Sequence, residues 1–158
     1  MDEERADRLL SRLQYLAKRN LKDFETDPSL LAAFERNLRL ERHDYRLDPD
    51  VCGEPDCWHT YRELLARDGA ADKIRLDCED AACALSAALF LAGAPALVGV
   101  KLGSGRVSHA VCGIGRTGSD GEMKRGSAVL LCDPAVWAGM VPLPEREYER
   151  TRWRAVER

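Results

Sequence analysis

The chain has 158 residues, of which 45% are hydrophobic and 32% charged, and its formal net charge is −3 at pH 7. This composition predicts one globular domain with a single hydrophobic core, and the small net charge argues against nucleic acid as a partner. The longest apolar run, residues 81–92, is followed by Gly93 and Pro95. It is too short to span a bilayer, so we expect no membrane span.

The N-terminal stretch MDEERADRLLSRLQYLAKRN is charged from its second residue onward. It has neither an apolar segment nor a cleavage site, so we expect no signal peptide and a cytoplasmic protein as synthesised. Leucines at helical spacing predict an amphipathic helix over residues 2–20. The next stretch, TDPSLLAAFERNLRL, predicts a second helix with Asp27 as N-cap and Pro28 at its first position.

Residues 43–57 are predicted to form a loop, because they combine two prolines, four aspartates and a glycine. The stretch WHTYRELLARDG then predicts a third helix that ends near Gly69. Four side chains in this part of the chain are candidate zinc ligands: His43, Cys52, Cys57 and His59. The spacing Cys-x4-Cys-x-His is not one of the common structural zinc patterns, so we expect no metal and regard the cysteines as incidental.

A central helix is predicted over residues 78–92, with Asp77 as its N-cap and Gly93 at its end. Asp80 stands three residues after the cap, close to a capping-box arrangement. Apolar residues occupy every face of this helix, so we expect it to be buried.

Three strands are predicted after the central helix, at 96–102, 106–114 and 127–137, and a polar, glycine-rich loop joins the last two. The tail from residue 138 is charged, with scattered aromatic residues, and is either an edge strand or a docking arm. Helices followed by an antiparallel sheet are typical of an α+β fold.

A candidate nucleophile, Cys78, would be the first residue of the central helix if Asp77 is the N-cap. The positive end of the helix dipole stabilises a thiolate there, while the neighbouring acids oppose it, so we expect a cationic histidine nearby. If the last two strands form a hairpin, His109 and Asp133 lie close together with the same side-chain parity. The pattern therefore predicts Cys78 as nucleophile, His109 as base and Asp133 as the residue that orients it.

Other residues near these three receive structural roles. Glu79 and Asp80 are expected to act electrostatically at the helix N-terminus, beside Asp77, with a bond from Asp80 to the loop that shapes the site as the alternative. Trp58 is expected in the core or the cleft wall, with donation from its indole to an oxyanion as the alternative. The remaining cysteines are expected in the core: Cys83 as filler, and Cys112 and Cys132 on the strand face opposite His109, where they can lie close together.

Several stretches resemble the transglutaminase-like cysteine protease superfamily, in particular the bacterial transglutaminase-like cysteine peptidases: LDCEDAACAL, HAV and LCDP, with DCWHTYRELLARDG upstream. The resemblance covers about residues 55–135, and Leu76 stands where the family motif has glycine. It implies a papain-like fold and a thioester intermediate on Cys78, with His109 as general base and Asp133 as orienting residue. It also implies that the backbone N–H of the nucleophile helps to stabilise the oxyanion.

The sequence thus predicts an α+β protein with a papain-like, transglutaminase-type core, in which a buried central helix packs on an antiparallel sheet. We expect an N-terminal helical region over 1–42, a catalytic core over 43–137 and a charged C-terminal arm over 138–158. The predicted function is that of a cysteine-dependent amide hydrolase, a thiol protease without a cofactor, which acts on a protein or peptide.

Three alternatives stay open. The enzyme can exchange amides onto lysine, as a transglutaminase does. The chain can instead be a non-catalytic interaction module on the same fold, within a larger assembly such as a phage-like particle or an injection machine. Its N-terminal helix or C-terminal arm would then contact the partner. A zinc-stabilised regulator is the third alternative.

Overall fold

A computed structural model of the chain describes residues 2–46, 58–103, 106–115, 130–132, 141–142 and 151–158. The helices among them are α1 (Asp2–Thr26), α2 (Pro28–Arg39), α3 (Tyr61–Asp68) and α4 (Cys78–Leu91). The strands are β1 (His43–Tyr45), β2 (Ile74–Leu76), β3 (Ala96–Gly103), β4 (Arg106–Ile114), β5 (Leu130–Cys132), β6 (Val141–Pro142) and β7 (Thr151–Ala155). These elements form an α+β fold, as predicted.

The helices begin where their capping residues stand. Asp27 caps α2 by accepting a hydrogen bond from the N–H of Ser29, with Pro28 at the first helical position, as predicted. The third helix starts later than predicted, because Thr60 and Glu63 form a capping box there. The first helix continues past residue 20 to Thr26 because its apolar period continues into Leu21 and Phe24, which are buried.

The central helix α4 is buried, as predicted. Its N-cap Asp77 accepts a 3.0 Å hydrogen bond from the N–H of Asp80. The helix packs against α1 and against β3 and β4, so an apolar surface on nearly every side is what its position requires. None of the helices in the described ranges is long and apolar enough to cross a membrane.

The main sheet has the strand order β6-β5-β4-β3-β7, and every neighbouring pair in it is antiparallel. The strand predicted at 106–114 is confirmed, and β5 lies inside the strand predicted at 127–137. The predicted pairing of these two strands is confirmed in the described residues, with Cys112 directly opposite Cys132. Residues 151–155 of the charged tail form an edge strand beside β3.

The prediction of a loop over residues 43–57 is wrong at its start. Residues His43–Tyr45 form β1, which pairs in parallel with β2 through residues Ile74–Leu76. The ladder closes with hydrogen bonds from the N–H of Ile74 to the oxygen of Arg42 and from the N–H of Arg46 to the oxygen of Leu76, both 2.7 Å long. Long-range pairing overrides the local loop pattern here; residues 47–57 lie outside the described part of the chain.

The two faces of the sheet belong to different apolar clusters. The helix face carries Val98, Val100, Ala110 and Cys112, which pack with α1 and α4. The opposite face carries Leu97, Val111 and Trp153. This division decides which side chains of β4 can face the N-terminus of α4.

Candidate active site

Cys78 is the first residue of α4, as predicted, and it is 9% exposed. The N-cap side chain of Asp77 precedes it and is itself buried. The thiol donates a hydrogen bond of 3.4 Å to Oε2 of Glu79. The sulfur therefore lies at the positive end of the helix dipole with a carboxylate beside it, and these two influences on a thiolate oppose each other.

Asp80 links the first turn of α4 to the segment before α3. Its buried carboxylate accepts a 2.7 Å hydrogen bond from the backbone N–H of His59, and its other oxygen lies 3.7 Å from Nδ1 of His59. Interaction with this carboxylate raises the pKa of His59, and burial raises the pKa of Asp80. Sequence reasoning did not identify His59 as the partner of Asp80, although a second acid in the first turn of a buried helix signals a need for a polar partner.

Trp58, one residue before His59, packs against the core cluster. The guanidinium carbon of Arg12 lies 4.2 Å from its ring centroid, a cation–π contact that the sequence did not suggest. Its Nε1 is buried and has no hydrogen-bond acceptor among the described residues. Trp58 is therefore partly buried against the core, and its indole keeps an N–H available for an acceptor.

His109 lies on β4 opposite Lys101 of β3. By strand alternation it shares a face with Val111, which is the face opposite α4. A β-bulge stands beside it: the register shifts between the Lys101–His109 pair and the next pair, so Ser108 is an extra residue. The alternation that the sequence suggests between residues 107 and 111 is therefore intact from His109 to Val111 and broken between residues 107 and 109.

Asp133, the predicted orienting residue, lies outside the described residues. The residue before it, Cys132, ends β5 and pairs with Cys112, three residues after His109. The structure thus packs the helix that begins with Cys78 against one face of β4 and places His109 on the other face, and it pairs β4 with the strand that leads to Asp133.

Of the four candidate zinc ligands, the structure describes the two histidines. Nε2 of His43 lies 3.0 Å from the hydroxyl of Tyr61, within an aromatic cluster, and burial lowers the pKa of His43 to about 4. His59 is engaged with Asp80, whereas Cys52 and Cys57 lie outside the described ranges. Among the residues in those ranges, no group of three potential ligands is placed to hold a metal ion.

No protein-family model, curated protein or solved structure matches this chain.

Proposed function

We propose that the chain is a cysteine-dependent amide hydrolase built on a papain-like, transglutaminase-type core, with Cys78 as the nucleophile. The observation that carries the proposal is the position of Cys78 as first residue of a buried helix that packs across β4, the strand of His109. A thiol in that position meets the positive end of the helix dipole, and a thiolate is the reactive form of cysteine.

In the proposed reaction the Cys78 thiolate attacks the carbonyl carbon of a peptide amide. The first N–H groups of a helix have no acceptor within the helix, so the N–H of Cys78 suits the oxyanion, and the Trp58 indole is a further candidate donor. His109 takes the thiol proton and gives it to the leaving amine, while Asp133 orients the imidazole. Water then hydrolyses the thioester; attack by a lysine amine instead would give amide exchange.

The proposal makes a specific demand on His109. Its side chain belongs to the face of β4 opposite α4, so the proposed pairing requires the strand to twist locally and turn the imidazole towards the thiol. The bulge at Ser108 supplies the means, because β-bulges increase local twist and redirect neighbouring side chains, often beside active sites.

Alkylation of the thiols tests the proposal directly. With iodoacetamide at pH 6, we expect one rapid equivalent at Cys78, lost in Cys78→Ala and kept in Cys83→Ala, a matched change at a buried thiol of the same helix. His109→Asn should slow labelling of Cys78 at least tenfold. Slowing by His59→Asn and not by His109→Asn would overturn the role of His109, and slow, equal labelling of all six cysteines would overturn the enzyme.

A second candidate function, a non-catalytic interaction module, is favoured by two observations. The first is the face on which His109 lies, and the second is a cleft of about 530 Å³ along α1. The residues that line the cleft are Tyr15, Lys18, Arg19, Leu21, Lys22, Glu25, Thr26 and Arg158. Its cations outnumber its one acid, and Tyr15 is 65% exposed, so an acidic segment with an apolar anchor is the partner that fits it. The equal labelling described above is the result this candidate predicts.

A further inference from the structure

Two cysteines occupy directly opposite positions in the register of the β4–β5 pair. Cys112 is in direct register with Cys132, and Val98 flanks Cys112 on the other side. Cys112 is fully buried on the helix face of the sheet. Across the sheet, Cys112 therefore has Val98 as its neighbour on β3 and a second cysteine, Cys132, as its neighbour on β5.

This register satisfies the distance requirement of a disulfide. Residues directly opposite in an antiparallel pair have Cα atoms about 4.5 or 5.5 Å apart, and disulfides join Cα atoms about 4.4–6.8 Å apart. Among the described residues, β5 pairs with β4 and with β6 and lies one strand from the end of the sheet order. Local opening of the sheet is the route by which a small oxidant reaches a buried thiol.

We propose that Cys112 and Cys132 form a redox-active pair that closes to a cross-strand disulfide. The oxidant class is a small disulfide such as oxidised glutathione. One cysteine thiolate attacks a glutathione sulfur and releases the first glutathione thiolate; the second cysteine thiolate then attacks the mixed disulfide and releases the other. Each cysteine loses its proton to solvent, and the two electrons from the pair reduce one oxidised glutathione to two reduced molecules.

The disulfide would fix the end of β5 to β4. Any effect on catalysis rests on the proposed function, because Cys132 immediately precedes Asp133 and Cys112 lies on the strand of His109. Formation of the disulfide itself depends only on the register of the two strands, so we test it by a measurement that does not involve activity.

The test equilibrates the folded full chain, in a Cys78→Ala background, in glutathione buffers of increasing oxidised fraction, followed by alkylation and digestion with trypsin. The two cysteines fall in separate tryptic peptides, 107–116 and 126–146, each with one cysteine. We expect these peptides to be linked in most molecules at the oxidising end, and Cys112→Ser or Cys132→Ser to abolish the link.

Cys83→Ser is the matched control, since Cys83 is equally buried but its thiol contacts the backbone oxygen of Leu13; it should leave the link intact. Protein unfolded in urea, in which the cysteines pair at random, gives the reference level. The proposal is overturned if the linked peptides are absent from the folded protein at every ratio, or no more abundant than in urea.

Discussion

The backbone N–H of His59 donates a 2.7 Å hydrogen bond to the buried carboxylate of Asp80. This bond joins the segment that leads into α3 to the first turn of α4, two residues from Cys78. Because the acceptor is buried, the bond contributes to the stability of the fold as well as to the shape of the candidate site.

Asp80→Ala should lower the free energy of unfolding by about 1–3 kcal/mol, because it removes the buried acceptor of the His59 N–H and the carboxylate beside the His59 ring. Urea denaturation at pH 7 measures the change. Asp72→Ala, at an exposed position, is the control and should change stability by less than about 0.5 kcal/mol. Equal effects of the two substitutions would mean that the Asp80 bond contributes nothing.

His43 should make the protein less stable in mild acid. Burial lowers its pKa from 6.5 to about 4, so between these values the unfolded chain binds a proton that the folded chain does not. The stabilisation is therefore fully present above about pH 6.5 and is lost as the pH falls towards 4, by up to about 3 kcal/mol. The difference in unfolding free energy between pH 7 and pH 4.5 should shrink in His43→Gln; an unchanged difference would contradict the assignment.

Gly99 is required by the aromatic ring on the neighbouring strand. A Cβ at residue 99 would lie 2.7 Å from Cε3 of Trp153, closer than packed carbon atoms approach. Gly99→Ala should therefore cost about 1–3 kcal/mol of stability. In a Trp153→Val background most of that cost should disappear, and the double-mutant cycle measures the coupling. Additive effects would show that the ring is not the obstacle.

Glu79→Gln should increase the alkylation rate of Cys78 at pH 6–7 by about 3- to 10-fold, because the negative charge of the carboxylate, whose Oε2 lies 3.4 Å from the sulfur and accepts its hydrogen bond, disfavours a thiolate. The rate is measured by mass spectrometry of the Cys78 peptide. Glu35→Gln, at an exposed position of α2, provides the comparison and should leave the rate unchanged. A slower rate in Glu79→Gln would indicate that the carboxylate assists the thiol.

Helices that carry a local sequence signal, such as an N-cap residue or an apolar surface, were predicted from the sequence. The caps Asp27 and Asp77 located the starts of α2 and α4, and the all-apolar surface of α4 predicted its burial. β1 was missed because its three residues carry no alternating pattern and its partner, β2, lies far along the chain. A strand that exists only through its long-range pairing leaves no local signature.

The site was predicted in the same uneven way. The position of Cys78 followed from a capping residue beside it, whereas the pairing of His59 with Asp80 joins the segment before α3 to the first turn of α4, two parts of the chain 21 residues apart. His109 keeps the face of Val111, but the additional residue Ser108 reverses the alternation on the N-terminal side of His109. Sequence periodicity assumes an unbroken strand and therefore cannot anticipate that reversal.

The edge strand β7 has a consequence for how the chain folds as it is synthesised. It covers β3, and its residues also hold α1: Arg152 pairs with Asp7 at 2.9 Å, and the oxygen of Ala155 accepts a hydrogen bond from Gln14. Until residues 151–155 leave the ribosome, β3 keeps an open edge that can pair with another chain. Completion of the sheet is thus a late event, and a nascent chain stalled before residue 151 would be prone to aggregate.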